Sequence, residues 1–168
     1  MEQLSLGLAG YDELQEGLAV LAEYLAGGLD RFRMRLLAGR VVAAHAVEQG
    51  ASFVETFGLL TGGHGFPPWS AWHAVTRVHA CGGFTRDLIY LRGLVSLLDH
   101  LRSGGDLRPL YLGKIAEKHI PVIEELRHRS VLREPPLTPR LLENPEALKR
   151  LETVRAGISL IDLVCPDP

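Results

Sequence analysis

The sequence predicts a mainly α fold, and three observations carry that expectation. Apolar residues recur at helical spacing, helix-start and helix-stop residues bracket those runs, and no segment sustains apolar–polar alternation between turn residues. The chain has 168 residues, 46% hydrophobic and 23% charged. That is an ordinary globular balance, which excludes wholesale disorder. The length suits one domain with a sizeable core, so residues 1–168 are expected to form a single helical domain.

The elements follow in order. Asp12 and Gln15 have the spacing of a capping box, and Leu14, Leu18, Leu21 and Leu25 then form one stripe. Gly27-Gly28 ends that helix. Asp30 caps the next, which runs through Met34, Leu37, Val41 and Val42 to about Gly50. Ser52 and Glu55 form a second capping box ahead of a short helix through Phe53 and Leu60. Residues 61–68, rich in glycine and proline, are expected to be a loop. A helix from about Pro68 to Ala80 counts Trp69, Trp72, Val75 and Val78 among its apolar positions. Cys81-Gly82-Gly83 breaks it. Thr85 caps a helix from about Arg86 to Arg102, which Gly104-Gly105 ends. From Asp106 to Leu132 the pattern is helical, interrupted at Gly113 and Pro121. Residues 133–140 are a proline-rich connection. Asn144-Pro145 is N-cap plus first position of a last helix through Leu148, Leu151, Val154 and Ile158. Residues 165–168 are expected to fray.

The formal charge is −2, so no net basic field exists to hold nucleic acid or anionic lipid. No apolar run approaches the ~20 residues of a membrane span. Two cysteines, Cys81 and Cys165, suit a reducing compartment. The first ten residues lack the pattern of a secretory signal. A cytoplasmic protein with neither a nucleic-acid nor a membrane partner is the expectation.

The chemistry legible from residues alone is sparse. No two of the seven histidines are three or four residues apart, and no Cys-x-x-Cys occurs, so no complete metal site is visible. Gly-x-Ser-x-Gly and Gly-x-x-x-x-Gly-Lys are both absent. Gly62-Gly63-His64-Gly65 follows a helix rather than a strand, and reads as a flexible turn. Two helix faces stand out. Glu16 lies opposite the leucine stripe, near Asp12, Val20 and Glu23. That side is either a solvated acidic face or the lining of a cleft where Glu16 offers oxygen to a cation. Arg86 and Tyr90 share a face at i, i+4, and Gly93 leaves room beside the phenol ring. They are either a packing pair or a cation and phenol that hold a carboxylate and an oxyanion.

The stretch Gly7-Leu-Ala-Gly-Tyr11-Asp12-Glu-Leu-Gln15-Glu16-Gly17-Leu18-Ala19 resembles the flavohemoglobin expression-modulating QEGLA motif proteins. Gly83-Phe84-Thr85-Arg86-Asp87-Leu-Ile-Tyr90-Leu91-Arg-Gly93 resembles that family's Phe-Thr-Lys-Asp-x-x-Tyr-Leu-x-Gly segment. Gly113-Lys114-Ile115 and Glu125-Leu126-Arg127 follow at fitting places. The likeness runs from about Leu6 to Val164. The family is similar to the microtubule-associated tyrosine carboxypeptidases, zinc metallopeptidases that remove a C-terminal tyrosine. In those relatives a His-Glu-x-x-x-His helix supplies two zinc ligands and the general base, and the motif glutamate supplies the third ligand.

The resemblance thus implies zinc as cofactor and Glu16 as a metal ligand; in such a site Tyr90 is expected to be the catalytic group steadying the oxyanion and Arg86 to pair with the substrate's terminal carboxylate. It implies a peptide or protein C-terminus as substrate, and the helical C-terminal portion of a zincin-like metallopeptidase domain as the fold. The sequence departs from the family in two places. It contains no His-Glu-x-x-x-His, and Arg86 stands where the family has Lys. The chain is therefore expected to be the C-terminal part of a family member, truncated or degenerate, and inactive alone because two ligands and the base are missing. Loss of the upstream helix is expected to leave Leu14 and Leu18 exposed and to promote self-association. The alternative is a non-catalytic helical module that binds a partner and modulates expression.

Overall fold

The computed structural model describes residues 7–80, 87–133 and 137–165. Seven α-helices occur among them: α1 (Tyr11–Leu25), α2 (Arg31–Glu48), α3 (Phe53–Gly58), α4 (Pro68–Ala80), α5 (Asp87–Arg102), α6 (Ile120–His128) and α7 (Pro145–Arg155). No strand is present among the described residues, so the helical fold expected from spacing is the one observed. The chain gathers into two compact units, residues 1–29 with 92–168 and residues 30–91.

In the first unit α1 packs on α7, and α6 packs on the 3₁₀ turns Arg108–Tyr111 and Glu117–His119. The leucine stripe of α1 is buried; Leu14 is 4% exposed and Leu18 8%. The expected exposure of these two side chains is therefore overturned. Their helix turns all its large apolar groups inward, and burying each is worth roughly 1.5–3 kcal/mol. Asp12 does not cap α1. The cap position is Gly10, in the left-handed region at φ 83°, and the helix is already running at Tyr11. Asp12 instead places its charge in the first turn, where the helix dipole favours it. The far end closes as expected. Gly27 takes φ 80°, Gly27 N–H donates to the Tyr24 carbonyl at 2.9 Å, and Gly28 N–H donates to that of Glu23 at 2.8 Å. This is a Schellman closure. From α7, the Arg150 guanidinium donates to the Leu25 carbonyl at 2.9 Å.

Pro121 does not interrupt a helix. It sits in the first turn of α6, where a missing N–H costs nothing. Asn144 caps α7 as expected, its side chain accepting from Glu146 N–H at 2.9 Å. Ile158 lies beyond the end of that helix. Of the proline-rich stretch, Arg133 and 137–139 are irregular and 140–143 form a 3₁₀ turn, while 134–136 lie outside the described residues. Of the expected fraying tail, only Cys165 is described.

The second unit is built on the pairing of α2 with α4, with α3 against both. Asp30 caps α2, accepting from Arg33 N–H at 2.7 Å. The capping box of α3 is complete, with Ser52 N–H donating to the Glu55 carboxylate at 2.8 Å and Glu55 N–H donating to the Ser52 hydroxyl at 3.3 Å. The core joins Ala43 and Ala44 of α2, Leu60, Phe66, and Ala71, Ala74, Val75 and Val78 of α4. Trp69 and Trp72 are not part of it. They are 72% and 50% exposed, because small alanines occupy the inward positions that bring α4 close to α2.

The expected loop over 61–68 begins later than its glycines suggest. A π turn spans Leu59–Gly63 and closes with His64 N–H donating to the Leu59 carbonyl at 3.1 Å. Beyond it the backbone is pinned rather than loose. Arg35 donates to the His64 and Gly65 carbonyls at 2.6 and 2.9 Å and lies 4.7 Å above the Phe66 ring. Gly39 of α2 makes room for that ring, since a Cβ there would stand 2.6 Å from its edge.

Candidate functional site

Glu16 projects from the middle of α1. On its face of the helix Val20 is wholly buried, and Asp12, Glu16 and Glu23 are half-buried. The exposed side of α1 is instead the one bearing Gln15 and Ala19. A freely solvated acidic face, one of the two options the spacing left open, is therefore not what α1 presents.

Gly17, next to Glu16, has a packing role. A Cβ on it would overlap the Gly93 backbone and stand 2.8 Å from the Leu94 nitrogen. Reciprocally, a Cβ on Gly93 would overlap the Glu13 carbonyl oxygen. The two glycines let α1 and α5 touch backbone to backbone. Gly93 is thus explained by this crossing rather than by space for the Tyr90 ring. Beside the contact lies a hollow of about 250 Å³ bordered by Glu13, Ser96, Glu117 and Lys118. The Ser96 hydroxyl donates to the Glu117 carboxylate, and Arg92 stands 3.7 Å from Glu13.

Tyr90 lies in the first turn of α5, half-buried, and belongs to the second unit. Arg86 lies outside the described residues. The residue after it, Asp87, is a feature that residue spacing did not single out. Its side chain is 1% exposed. Arg77 of α4 donates through Nε to both carboxylate oxygens, at 3.0 and 2.9 Å, and Arg40 of α2 stands 3.7 Å away. A buried carboxylate is tolerated only when paired in this way. The sequence marks it only as the aspartate of the second family segment, at the first position of α5, and carries no sign of its partners.

Three histidines serve local structure. His119 Nδ1 accepts from Ala116 N–H at 3.1 Å, His100 Nε2 lies 3.2 Å from the Asp106 carbonyl, and His79 Nε2 lies 3.4 Å from the Thr56 hydroxyl. Among the described residues no three His, Cys, Asp or Glu side chains converge as a metal cage would require. The donors among the described residues do not by themselves fit zinc.

No helix among the described residues is long and apolar enough to cross a membrane. No curated protein and no solved structure matches the chain. A family model described as microtubule-associated tyrosine carboxypeptidase matches residues 1–158, which include α1 with its Gln15-Glu16-Gly17-Leu18-Ala19 motif and the start of α5. By that match over nearly its whole length, the chain belongs to the microtubule-associated tyrosine carboxypeptidase family.

Proposed function

We propose that this chain recognises the carboxyl end of a peptide or protein and does not hydrolyse it unaided. The family match over residues 1–158 is the observation that carries the reading, since carboxypeptidases act on peptide termini. Such enzymes must hold the terminal carboxylate. Arg86 is the residue assigned to that task, because a guanidinium offers two parallel N–H donors to a carboxylate. Tyr90, four residues on in the sequence, offers a phenol to the same end of the substrate. Glu16 is assigned as one zinc ligand. Its half-buried position on α1 agrees with a covered oxygen donor, but one carboxylate does not hold a catalytic ion.

The sequence contains no His-Glu-x-x-x-His, and the described residues gather no three ligands. Hydrolysis therefore waits on imidazoles and a base that other polypeptide must supply. Two measurements test this. Metal analysis of the purified chain is expected to give well under one zinc per molecule. A labelled peptide ending in a free tyrosine carboxylate is expected to bind without being shortened, and to lose affinity when its end is amidated or when Arg86→Ala is made. Stoichiometric zinc with release of tyrosine overturns the inactive reading. Indifference to Arg86→Ala overturns the recognition role.

A further inference from the structure

The side of α1 turned roughly 100° from Glu16, one residue's rotation on the helix, borders a second concavity. This groove has a volume of about 580 Å³, within the range of ligand pockets, roughly 300–1,000 Å³. Leu18 and Ala22 of α1 form one wall, and Leu110 and Leu141 the other. Three polar groups of different kinds interrupt this apolar lining: the Gln15 amide, the Tyr111 phenol and the Lys114 ammonium.

The polar groups narrow the choice of occupant. Lys114 stacks 5.4 Å from the Tyr11 ring centre and has no carboxylate at ion-pair distance among the described residues. Burial pushes the Tyr111 hydroxyl above its ordinary pKa, so it stays protonated and is a donor. It has no hydrogen-bond partner among the described residues. An ammonium at an apolar groove selects an anion with an apolar body. An amide and a phenol beside it select a ligand that also carries peptide units, which a fatty chain lacks.

We propose that this groove, between α1 and the 110–114 segment, binds the last residues of an apolar peptide, with Lys114 taking the terminal carboxylate and Gln15 and Tyr111 the preceding amides. It uses none of Glu16, Arg86 or Tyr90, and so stands or falls apart from the function proposed above.

The test is an amide-resolved NMR titration of the full chain with acetyl-Leu-Leu-Ala as free acid, with its C-terminal amide, and with decanoate. The acid is expected to shift the amides of Gln15–Ala22 and Leu110–Lys114, and the carboxamide to bind about tenfold more weakly, as loss of a charge-assisted contact implies. Lys114→Met is expected to weaken the acid by a similar factor and to erase the acid–amide difference, while Lys114→Arg restores it. Ala19→Glu, on the exposed rim of the groove, gives a second route if Lys114→Met fails to fold, and is expected to abolish binding. Shifts that fall elsewhere and vanish only in Arg86→Ala overturn the groove and leave the recognition function standing. Shifts at the groove that ignore Arg86→Ala support the groove and leave the role of Arg86 to its own test. Decanoate binding as well as the peptide, or no shift with any ligand, overturns the proposal.

Discussion

Asp87 holds a full charge out of water, and that costs several kcal/mol unless its two arginines remain in place. Asp87→Ala is expected to lower stability by about 3 kcal/mol, measured by urea unfolding followed by circular dichroism. Arg77→Lys is expected to cost a smaller but clear amount, because an ammonium cannot reproduce the two-oxygen contact of the Arg77 Nε. A loss within error for Asp87→Ala would mean that the carboxylate is not buried as described. Glu55 gives a pH prediction. The Ser52 hydroxyl and backbone N–H hold its carboxyl below the ordinary range. Its contribution is therefore complete above the unfolded value, near about 4.3, and is lost as pH falls through the lower folded value. An NMR titration of Glu55 is expected to move up toward the ordinary value in Ser52→Ala, and an unchanged midpoint would remove the capping box as its cause. The contrast between these sites shows what residue reading can reach. Ser52 and Glu55 are three residues apart and act through local geometry, so the pair was legible. Asp87 meets Arg77 ten residues away and Arg40 on another helix, and no local pattern announces that meeting.

Helix ends repeat one device, and the same rule separates what was legible from what was not. At Gly27, Gly50 and Gly104 the chain turns left-handed after its helix, and paired bonds close each end, as from Gly50 N–H to the Val47 carbonyl and from Ala51 N–H to that of Ala46, at 2.9 and 3.0 Å. Glycine punctuation therefore placed these ends correctly. At α6 the same closure is made without glycine. Ser130 takes φ 57°, with Ser130 N–H donating to the Arg127 carbonyl and Val131 N–H to that of Leu126, both at 2.9 Å. A side chain in that region costs roughly 1–2 kcal/mol, partly offset by the entropy that glycine loses on folding. Ser130→Gly is expected to raise stability by roughly 0.5–1 kcal/mol in the same urea assay, and a loss would show that the serine is not strained. The inverse holds where helices cross. Gly17→Ala is expected to cost about 3 kcal/mol, because the added methyl would meet the α5 backbone, which unlike a side chain has no rotamer to retreat to. Gly17 and Gly93, 76 positions apart, were each legible as motif residues, but nothing in the sequence paired them. Tertiary contact assigned their role.

At the scale of the whole chain, the apolar surface lies where amphipathic reading did not put it. Spacing placed Trp69 and Trp72 among the apolar positions of α4, and the missing upstream helix was expected to leave Leu14 and Leu18 uncovered. The structure buries the leucines and turns out the indoles, with Val54 of α3 also 77% exposed. Helical period tells which residues share a face but not which face finds the core, and on α4 the alanines win that place because they permit the closest packing against α2. The chain has only two tryptophans, so its fluorescence reports this one region. Trp72 meets the Phe53 ring edge-on at 5.1 Å, and Trp69 meets His73 at 4.2 Å, but half or more of each indole faces outward. The folded protein is therefore expected to emit at a long, water-like wavelength and to be quenched freely by iodide, with little red shift on unfolding in urea. The circular dichroism signal should disappear over the same transition. Blue-shifted, iodide-resistant emission at high protein concentration that reverts on dilution would instead show the indoles covered by another copy. Self-association would then run through α4 rather than through the leucine stripe of α1. The same emission persisting at every dilution would contradict the exposed placement of both tryptophans within the second unit.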